Sequence, residues 1–250
     1  MARKFITQDL PKCENCAIRK SSLFGEIDTF HLDKVRELRT SQITFNAGDY
    51  IYHEGDIPTR AYTLHQGWVS LFKTLEDGGR QILRFALPGD FLSYKSSNRA
   101  LDHSAIALTD ITLCAFPLDR FKTKLADLPE LSIAISSVSE MTIQRCYSTL
   151  TTIASHNAEV KIAYLLLSLY IRETSLKQNQ SEPIHLPITQ EDIGDALGLT
   201  TIHVNRTFKG LQNKGLIECN NRNLHIPDQT NLAEVAKVNL ESLKKLMVVV

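Results

Sequence analysis

The sequence carries no excess of charge of either sign. Its 250 residues include 28 Lys and Arg and 28 Asp and Glu, and 43% of the residues are hydrophobic. Such a chain can bury a sizeable core and is not a disordered, highly charged segment. No apolar run approaches the ~18 residues of a membrane-spanning helix, and the opening MARKFITQDL lacks the apolar centre of a signal peptide. We therefore expect a cytoplasmic protein of two domains with no membrane partner.

The usual sequence signatures of enzymes are also missing. The chain contains no Gly-rich phosphate loop, no Gly-x-Ser-x-Gly nucleophile elbow, and no group of His and carboxylate residues at metal-binding spacing. These absences argue against catalysis, and the sequence predicts a protein that is not an enzyme.

The stretch 187–215 predicts two short helices that meet at a sharp corner. Thr189 suits the N-cap of the first helix, and Asp192 completes a capping box. Gly198 then ends that helix, and Thr200 suits the N-cap of the second. The pattern is that of a helix-turn-helix, and the alternative is an ordinary helical hairpin with a solvated polar face.

The outer face of the second helix has the chemistry of a major-groove reader. Ile202, Asn205, Arg206 and Lys209 share this face, and Arg suits guanine, Asn suits adenine or phosphate, and an aliphatic side chain suits a thymine methyl. Two short strands follow around a polar turn, and 184–186 predicts a third strand, which together form a winged helix. The predicted DNA-contacting residues are Thr201, Ile202, His203, Asn205, Arg206, Lys209 and, at the tip of the wing, Arg222.

The residues 40–116 alternate apolar and polar side chains in short runs. Gly-Asp pairs separate these runs, at Gly48-Asp49, Gly55-Asp56 and Gly89-Asp90. This pattern predicts an antiparallel roll of about eight strands, with glycines at corners that need a positive φ.

Two parts of the chain together resemble one bacterial family. LPITQEDIGDALGLTTIHVNRTFKGLQNKGLI resembles the DNA-binding domain of the Crp/Fnr transcription regulators, and FNAGDYIYHEGD with LHQGWVSLFKTLEDGGRQILRFALPGDFL resembles their cyclic-nucleotide-binding-type β-roll. The resemblance implies an α+β fold with an N-terminal β-roll, a long dimerisation helix and a C-terminal winged helix-turn-helix. We expect these segments: an N-terminal Cys-containing segment (1–30), the β-roll sensor (31–118), the dimerisation helix (119–155), the DNA-binding domain (156–230) and a C-terminal tail (231–250).

The resemblance also implies a homodimer that binds double-stranded DNA with a two-fold symmetric site and contacts RNA polymerase. The family usually reads DNA with a Glu and an Arg, and Ile202 occupies the position of the Glu. The turn 76–80 resembles a loop that such activators present to the polymerase, and the alternative is a solvated hairpin tip. One apolar stripe of the long helix consists of Leu131, Ile135 and Val138, and after a shift of one residue it continues at heptad spacing with Ile143, Cys146, Leu150 and Ile153. The resemblance implies that this helix pairs with its twin, and the alternative, which we expect for part of it, is a core helix packed on its own roll. The tail carries apolar residues at helical spacing and is either a further helix or a partly ordered end.

The pair Cys13-x2-Cys16 has three interpretations: inert thiols, a thiol redox switch, or half of a metal or iron–sulfur site. The segment around Cys114 resembles the one in which oxygen-sensing Fnr proteins carry a distant cluster cysteine. The family has a further cysteine six to eight residues after the pair, where this chain holds Ser22 and Phe24. An iron–sulfur cluster would therefore lack one thiolate, unless Glu14, Asp28 or His31 replaced it.

The resemblance places an effector pocket inside the roll. Family members that bind cyclic AMP use a Gly-Glu pair and an Arg-Ser pair, and this chain has Ser93-Tyr94 and His103-Ser104 there. Without the Arg, the phosphate of cyclic AMP loses its bidentate partner, so cyclic AMP is disfavoured. The sequence indicates no other cofactor for this pocket. We expect a DNA-binding regulator controlled by a redox, oxygen or small-molecule signal. The rival is a cyclic-nucleotide-binding-type module that acts through protein contacts only.

Overall fold

The computed structural model describes residues 4–6, 13–25, 27, 37–175, 177 and 181–248. The chain separates into two compact units, one spanning residues 1–140 and the other residues 141–249. None of the helices in the described ranges combines the length and hydropathy that a bilayer-spanning helix requires.

Antiparallel strands build the first unit. The strands are β1 Lys4–Ile6, β2 Ser41–Phe45, β3 Tyr50–Tyr52, β4 Arg60–Gln66, β5 Val69–Thr74, β6 Arg80–Ala86, β7 Phe91–Leu92, β8 Ser104–Ala107 and β9 Ile111–Pro117. They form two sheets, with the orders β1-β2-β9-β4-β7 and β3-β8-β5-β6. Apolar side chains of both sheets, among them the fully buried Leu64 and Leu113, form one core. The predicted roll of about eight strands is confirmed as β2 to β9, whereas β1 was not predicted.

The same type of hydrogen bond forms at each of the three Gly-Asp corners. In each pair the Asp carboxylate accepts a backbone N–H from the residue three positions earlier, at 2.8 to 3.0 Å. The glycines have φ values of +88°, +90° and +100°, and residues with a Cβ rarely adopt such positive φ values. A Cβ on Gly89 would also lie 2.3 Å from the carbonyl oxygen of Ser21. Gly89 therefore lets the N-terminal cysteine segment pack closely against the roll.

The predicted dimerisation segment contains a short helix and a long one. These helices are α1 Leu118–Asp127 and α2 Pro129–Ser155. Leu128 lies between them in an extended conformation, with φ −132° and ψ 87°, because a residue before proline is driven out of the helical region. The first part of α2 packs on the roll, where Leu131 is fully buried beside Phe121 of α1.

The second unit contains the predicted winged helix. Its elements up to the wing are α3 Ala158–Thr174, β10 Ile184–His185, α4 Gln190–Leu197, α5 Thr201–Asn213, β11 Glu218–Asn220 and β12 Asn223–His225. The strands form an antiparallel sheet in the order β10-β12-β11. Helix α3 provides the centre of this unit, since Ile162, Leu166 and Tyr170 are fully buried.

The C-terminal tail forms two further helices, α6 Gln229–Val235 and α7 Leu240–Met247. Leu232 and Leu243 anchor them by burial in the second unit. Arg145 of α2 holds the end of α7, because its guanidinium donates from Nε to the carbonyl of Leu246 at 2.8 Å and from Nη2 to that of Met247 at 2.9 Å. Of the two alternatives left open for the tail, the helical one is therefore observed.

Candidate nucleic-acid interface and cysteine cavity

Local sequence signals build the corner between α4 and α5. The Thr189 hydroxyl accepts from the Asp192 N–H at 3.0 Å, and the Asp192 carboxylate accepts from the Thr189 N–H at 2.8 Å. Gly198 ends α4 in the left-handed region, at φ +65°. A Cβ on Gly194 would lie 2.5 Å from the carbonyl oxygen of Leu199, so glycine allows the turn to pack onto α4. The predicted capping box and helix end are confirmed.

One face of α5 is exposed, and it carries the predicted DNA-contacting residues. Thr201, Ile202, His203, Arg206 and Lys209 are exposed, and Asn205 is half-buried. The opposite face is buried through Val204, Phe208 and Leu211. Ile202 is 79% exposed, and a large aliphatic side chain at such exposure suits a contact with an apolar group of a partner, such as a thymine methyl.

Asn205 is not isolated on this face. Its Nδ2 donates a hydrogen bond to Oε1 of Gln190 at 2.9 Å, and Gln190 is the first residue of α4. Gln190 was not predicted from the sequence, because its partner lies 15 residues away and the two meet only when the corner has folded. Its place directly after the N-cap Thr189 was the available signal, since that end of the first helix lies beside the second helix.

The wing is a two-residue hairpin. Asn220 pairs with Asn223 across the turn, and the two turn residues have φ values of +49° for Asn221 and +64° for Arg222. Positive φ at both positions is the requirement of a type I′ hairpin turn. The Arg222 side chain is exposed, at the tip where the sequence analysis expected it.

Lys214, the cationic residue that directly follows α5, has a protein partner. Its Nζ donates to the Glu159 carboxylate at the start of α3. The cationic side chains presented by α5 and the wing are then Arg206, Lys209 and Arg222.

The three cysteines considered as metal ligands line one cavity. A 3-10 turn places Cys13 and Cys16 there, and β9 supplies Cys114. The cavity measures about 30 Å³ and is also lined by Ile18, Arg19, Ser22, Phe24, Arg39, Thr63 and Phe116. The structure thus brings together thiols that are about a hundred residues apart in the chain.

Burial controls the ionisation of the N-terminal thiols. It raises the pKa of Cys13 and of Cys16, and the nearby Arg39 cation opposes this rise without cancelling it. His65 lies beside the pair, with Nδ1 3.8 Å from the Cys16 sulfur, and burial lowers the pKa of this imidazole. Both thiols and the imidazole are therefore held in their neutral forms near neutral pH.

Ser22 and Phe24 lie in the same cavity, at the expected position of the further thiolate. The Ser22 hydroxyl is already engaged, because it donates to the carbonyl of Arg19 at 2.8 Å and accepts from the Phe24 N–H at 3.3 Å. Of the suggested replacement ligands, Glu14 is exposed, and Asp28 and His31 lie outside the described residues. Among the residues that the structure describes, no three His, Cys, Asp or Glu side chains are arranged to hold a metal ion.

The residues expected in the effector pocket are occupied by internal contacts. The rings of Tyr94 and Phe121 pack edge to face, and Ser93 is buried in the left-handed region at φ +61°. The Ser104 hydroxyl accepts from the backbone N–H of Glu54 at 3.0 Å.

His103 belongs to a hydrogen-bonded chain. Its Nδ1 bonds to Asp102 at 2.7 Å and its Nε2 to the Tyr52 hydroxyl at 2.9 Å. Burial acts to raise the pKa of Asp102, but hydrogen bonds from Lys95 and His103 outweigh it and lower this pKa to about 2. A carboxylate at this place disfavours a bound anion such as the phosphate of a nucleotide.

Two family models match the chain. Residues 42–127 match the cyclic nucleotide-binding domain, and residues 160–235 match the Crp-like helix-turn-helix domain. The nitrogen fixation regulation protein FixK of Bradyrhizobium diazoefficiens is 34% identical over 205 residues, which cover 82% of this chain and 85% of that protein. The transcriptional activator protein FnrL of Cereibacter sphaeroides is 26% identical over 91% of this chain and 92% of its own length.

Solved structures show the same fold. FixK2 from Bradyrhizobium japonicum superposes with a TM-score of 0.69 at 20% identity, over 78% of this chain and 96% of that one. A transcriptional regulator of the CRP family from Thermus thermophilus gives a TM-score of 0.64 at 21% identity, over 80% of this chain and 98% of its own.

Proposed function

The chain belongs to the Crp/Fnr family of DNA-binding transcription regulators, and from this premise we propose that two copies bind a two-fold symmetric DNA site in the cytoplasm under the control of a thiol-based redox signal. The family consists of regulators and not enzymes, in agreement with the expectation from the sequence.

The exposed face of α5 carries the proposal of sequence-specific binding. It combines Arg206, a donor for guanine, with the highly exposed Ile202. A nuclease footprint on duplex DNA selected from a random pool tests it. A footprint that covers two half-sites about 34 Å apart, one helical turn, supports the proposal. The rival module that acts through protein contacts only predicts no footprint on any duplex.

The difference in exposure between two faces of α2 supports the homodimer. One face packs on its own unit, where the Ser148 hydroxyl accepts from the Tyr164 hydroxyl at 2.8 Å and Thr152 is buried. The other face exposes Ile143, Tyr147 and Leu150 by 50%, 67% and 63%. Their spacing of four and three residues is that of a coiled-coil seam. We call these three residues the α2 stripe, and a second copy of the same helix is the partner that matches it.

The donor set at the cysteine cavity does not fit a four-thiolate iron–sulfur cluster. It has three thiols, and the hydroxyl at the fourth position is engaged by the backbone. The other two cysteines, Cys146 and Cys219, belong to the second compact unit.

The thiols themselves therefore carry the proposed signal. Two of Cys13, Cys16 and Cys114 would form a disulfide and give two electrons and two protons to a peroxide, which becomes water. Because burial raises the pKa of the N-terminal thiols and keeps them protonated near neutral pH, this oxidation should be slow, since the thiolate is the reactive form.

Anaerobic purification of a Cys146→Ser, Cys219→Ser variant tests the signal. An iron assay and an absorption spectrum come first, followed by operator binding before and after hydrogen peroxide. An iron-free protein whose affinity changes on oxidation, and recovers with a dithiol reductant, supports the proposal. A coloured, iron-containing protein contradicts it, and so does an iron-free protein with the same affinity in both states.

The hairpin between β5 and β6 is the proposed contact with RNA polymerase. Its tip is exposed from Leu75 to Gly79, and the Arg80 guanidinium lies 5.7 Å from the Phe72 ring centroid at its base. Arg80→Glu should lower activated transcription and leave operator affinity unchanged. An unchanged promoter response would remove this contact.

A further inference from the structure

The strongest unassigned feature is the amide pair formed by Gln190 and Asn205. It joins the first residue of α4 to the second turn of α5, with 2.9 Å between Asn205 Nδ2 and Gln190 Oε1. Both side chains are half-buried. Asn205 immediately precedes Arg206 and lies one turn after Ile202, so the pair borders the face that we propose to contact bases.

The hydrogen-bond inventory of Asn205 determines what it can still recognise. An Asn side chain has two N–H donors and one carbonyl acceptor. One N–H is bound to Gln190, which leaves one donor and one acceptor on adjacent atoms. Adenine presents the complementary pair in the major groove, with an acceptor at N7 and a donor at N6. Guanine presents two acceptors and would leave the Asn205 carbonyl without a donor.

Gln190 also fixes the direction in which this donor and acceptor point. An unrestrained Asn on a helix surface can rotate its amide toward a phosphate or toward a base, and ordering it on binding lowers affinity. A side chain whose amide is already held by a neighbour avoids that loss and keeps its geometry. The second donor group of the pair, Nε2 of Gln190, suits a phosphate oxygen beside the base.

We propose that Gln190 is a positioning residue that holds Asn205 as a reader of adenine, at a base pair next to the guanine contacted by Arg206. This inference rests on the proposed DNA-binding function and adds a specificity element to it. The base preference at one position of each half-site then depends on a residue of α4 that need not touch any base.

The test measures the affinity of the full-length protein for four operators that differ only at that base pair. The unchanged protein should prefer adenine by about tenfold per half-site. Asn205→Ala should remove this preference. Gln190→Ala should reduce it several-fold at the same position only, and the double variant should match Asn205→Ala, because two residues of one interaction are not additive.

Gln190→Glu separates positioning from general structural support. Its carboxylate still accepts from Asn205, so the adenine preference should return, while repulsion from phosphates should weaken binding to all four operators about equally. Glu191→Ala, an exposed neighbour on the same helix, is the matched control and should keep the base profile of the unchanged protein. Circular dichroism confirms that each variant is folded.

Two results would overturn the inference and leave the proposed function intact. One is a Gln190→Ala variant with the base profile of the unchanged protein, and the other is an equal loss of affinity for all four operators in both Ala variants. If the unchanged protein shows no preferred duplex at all, the proposed function fails, and the inference with it.

Discussion

Arg206 is the residue on which we propose that base recognition most depends. We expect Arg206→Ala to lower affinity by about 1–3 kcal/mol per half-site and to flatten the preference at one base pair, because a bidentate guanine contact is lost. Binding titrations with operators altered at each position measure this. Lys209→Ala is the comparison, since loss of a phosphate contact weakens all sequences alike. An equally uniform loss for Arg206→Ala would exclude it as a base reader.

Arg222 combines an unfavourable backbone with an exposed cation. Its φ of +64° costs a residue with a Cβ roughly 1–2 kcal/mol in the folded state. Glycine avoids this strain, but its greater freedom in the unfolded chain lowers the free energy of unfolding by about 0.5–1 kcal/mol. We expect Arg222→Gly to leave stability unchanged or raise it by up to about 1 kcal/mol, and to weaken DNA binding for all sequences. Denaturant unfolding and operator titration separate the two effects. A large loss of stability would show that the side chain supports the wing.

The Asp102 carboxylate makes the free energy of unfolding depend on pH in the acidic range. Its pKa falls from 3.8 to about 2, so the ionised carboxylate contributes to stability above the ordinary pKa, and this contribution is lost as the pH falls through about 2. Urea unfolding of Asp102→Asn should show a deficit against the unchanged protein at pH 6 that shrinks as the pH approaches 2. Asp127→Asn, at an exposed position of α1, is the control. A deficit of equal size at every pH would contradict the prediction.

Residues whose role depends on local periodicity were predicted from the sequence. The exposed face of α5 is of this kind, as are the Thr189 cap and the Gly198 helix end, because each follows from neighbours within one or two turns. The contacts of Asn205 with Gln190, Lys214 with Glu159, and Cys16 with His65 span 15, 55 and 49 residues. No spacing rule links such positions before the chain has folded.

Helix α2 shows the same limit at the scale of an element. Its apolar period predicted a helix that packs partly on its own roll and partly on a second copy, and Ile135 and Val138 do pack against the core of their own roll. Ile143, Cys146 and Leu150 are exposed as a seam requires, and the exposed Tyr147 beside Cys146 was not predicted. Periodicity identifies a helix with an apolar face, and it does not distinguish an intramolecular partner from a second copy.

The α2 stripe is the surface through which we expect two copies to form a dimer. Tyr147→Glu with Leu150→Glu should lower the fraction of dimer, because like charges would face each other across the seam, while each copy stays folded since these side chains are exposed. Sedimentation velocity measures the first effect and circular dichroism the second. Ile57→Glu is the matched control, because Ile57 is also a large apolar residue, 61% exposed. A double variant that remains dimeric would place the interface elsewhere.

For the whole molecule, a neutral chain must bind DNA through a few well-placed cations. From Ile184 onward, seven Lys and Arg face seven Asp and Glu. With Lys209 and Arg222 as the phosphate contacts in each half-site, while Arg206 reads a base, a dimer would neutralise about four phosphates, and the logarithm of affinity should fall with the logarithm of salt at a slope of about −4. Lys214→Ala should not change that slope, because Lys214 is paired with Glu159. A shallower slope for this variant would add Lys214 to the interface.

The order of domains was predictable because both units carry dense local signals, the Gly-Asp corners in one and the capped helices in the other. Strand β1 was not, since it pairs with β2 about forty residues further along, Phe5 opposite Ile43. Three residues of strand carry too little alternation to be recognised without their partner.

The anchoring of α7 by Arg145 has a practical consequence for reporter design. Because the last carbonyls of α7 are bound to a guanidinium of α2, a fluorophore placed near Val248 is held close to the helix that bears the α2 stripe. Energy transfer between two copies labelled in this way would follow the separation of their α2 helices.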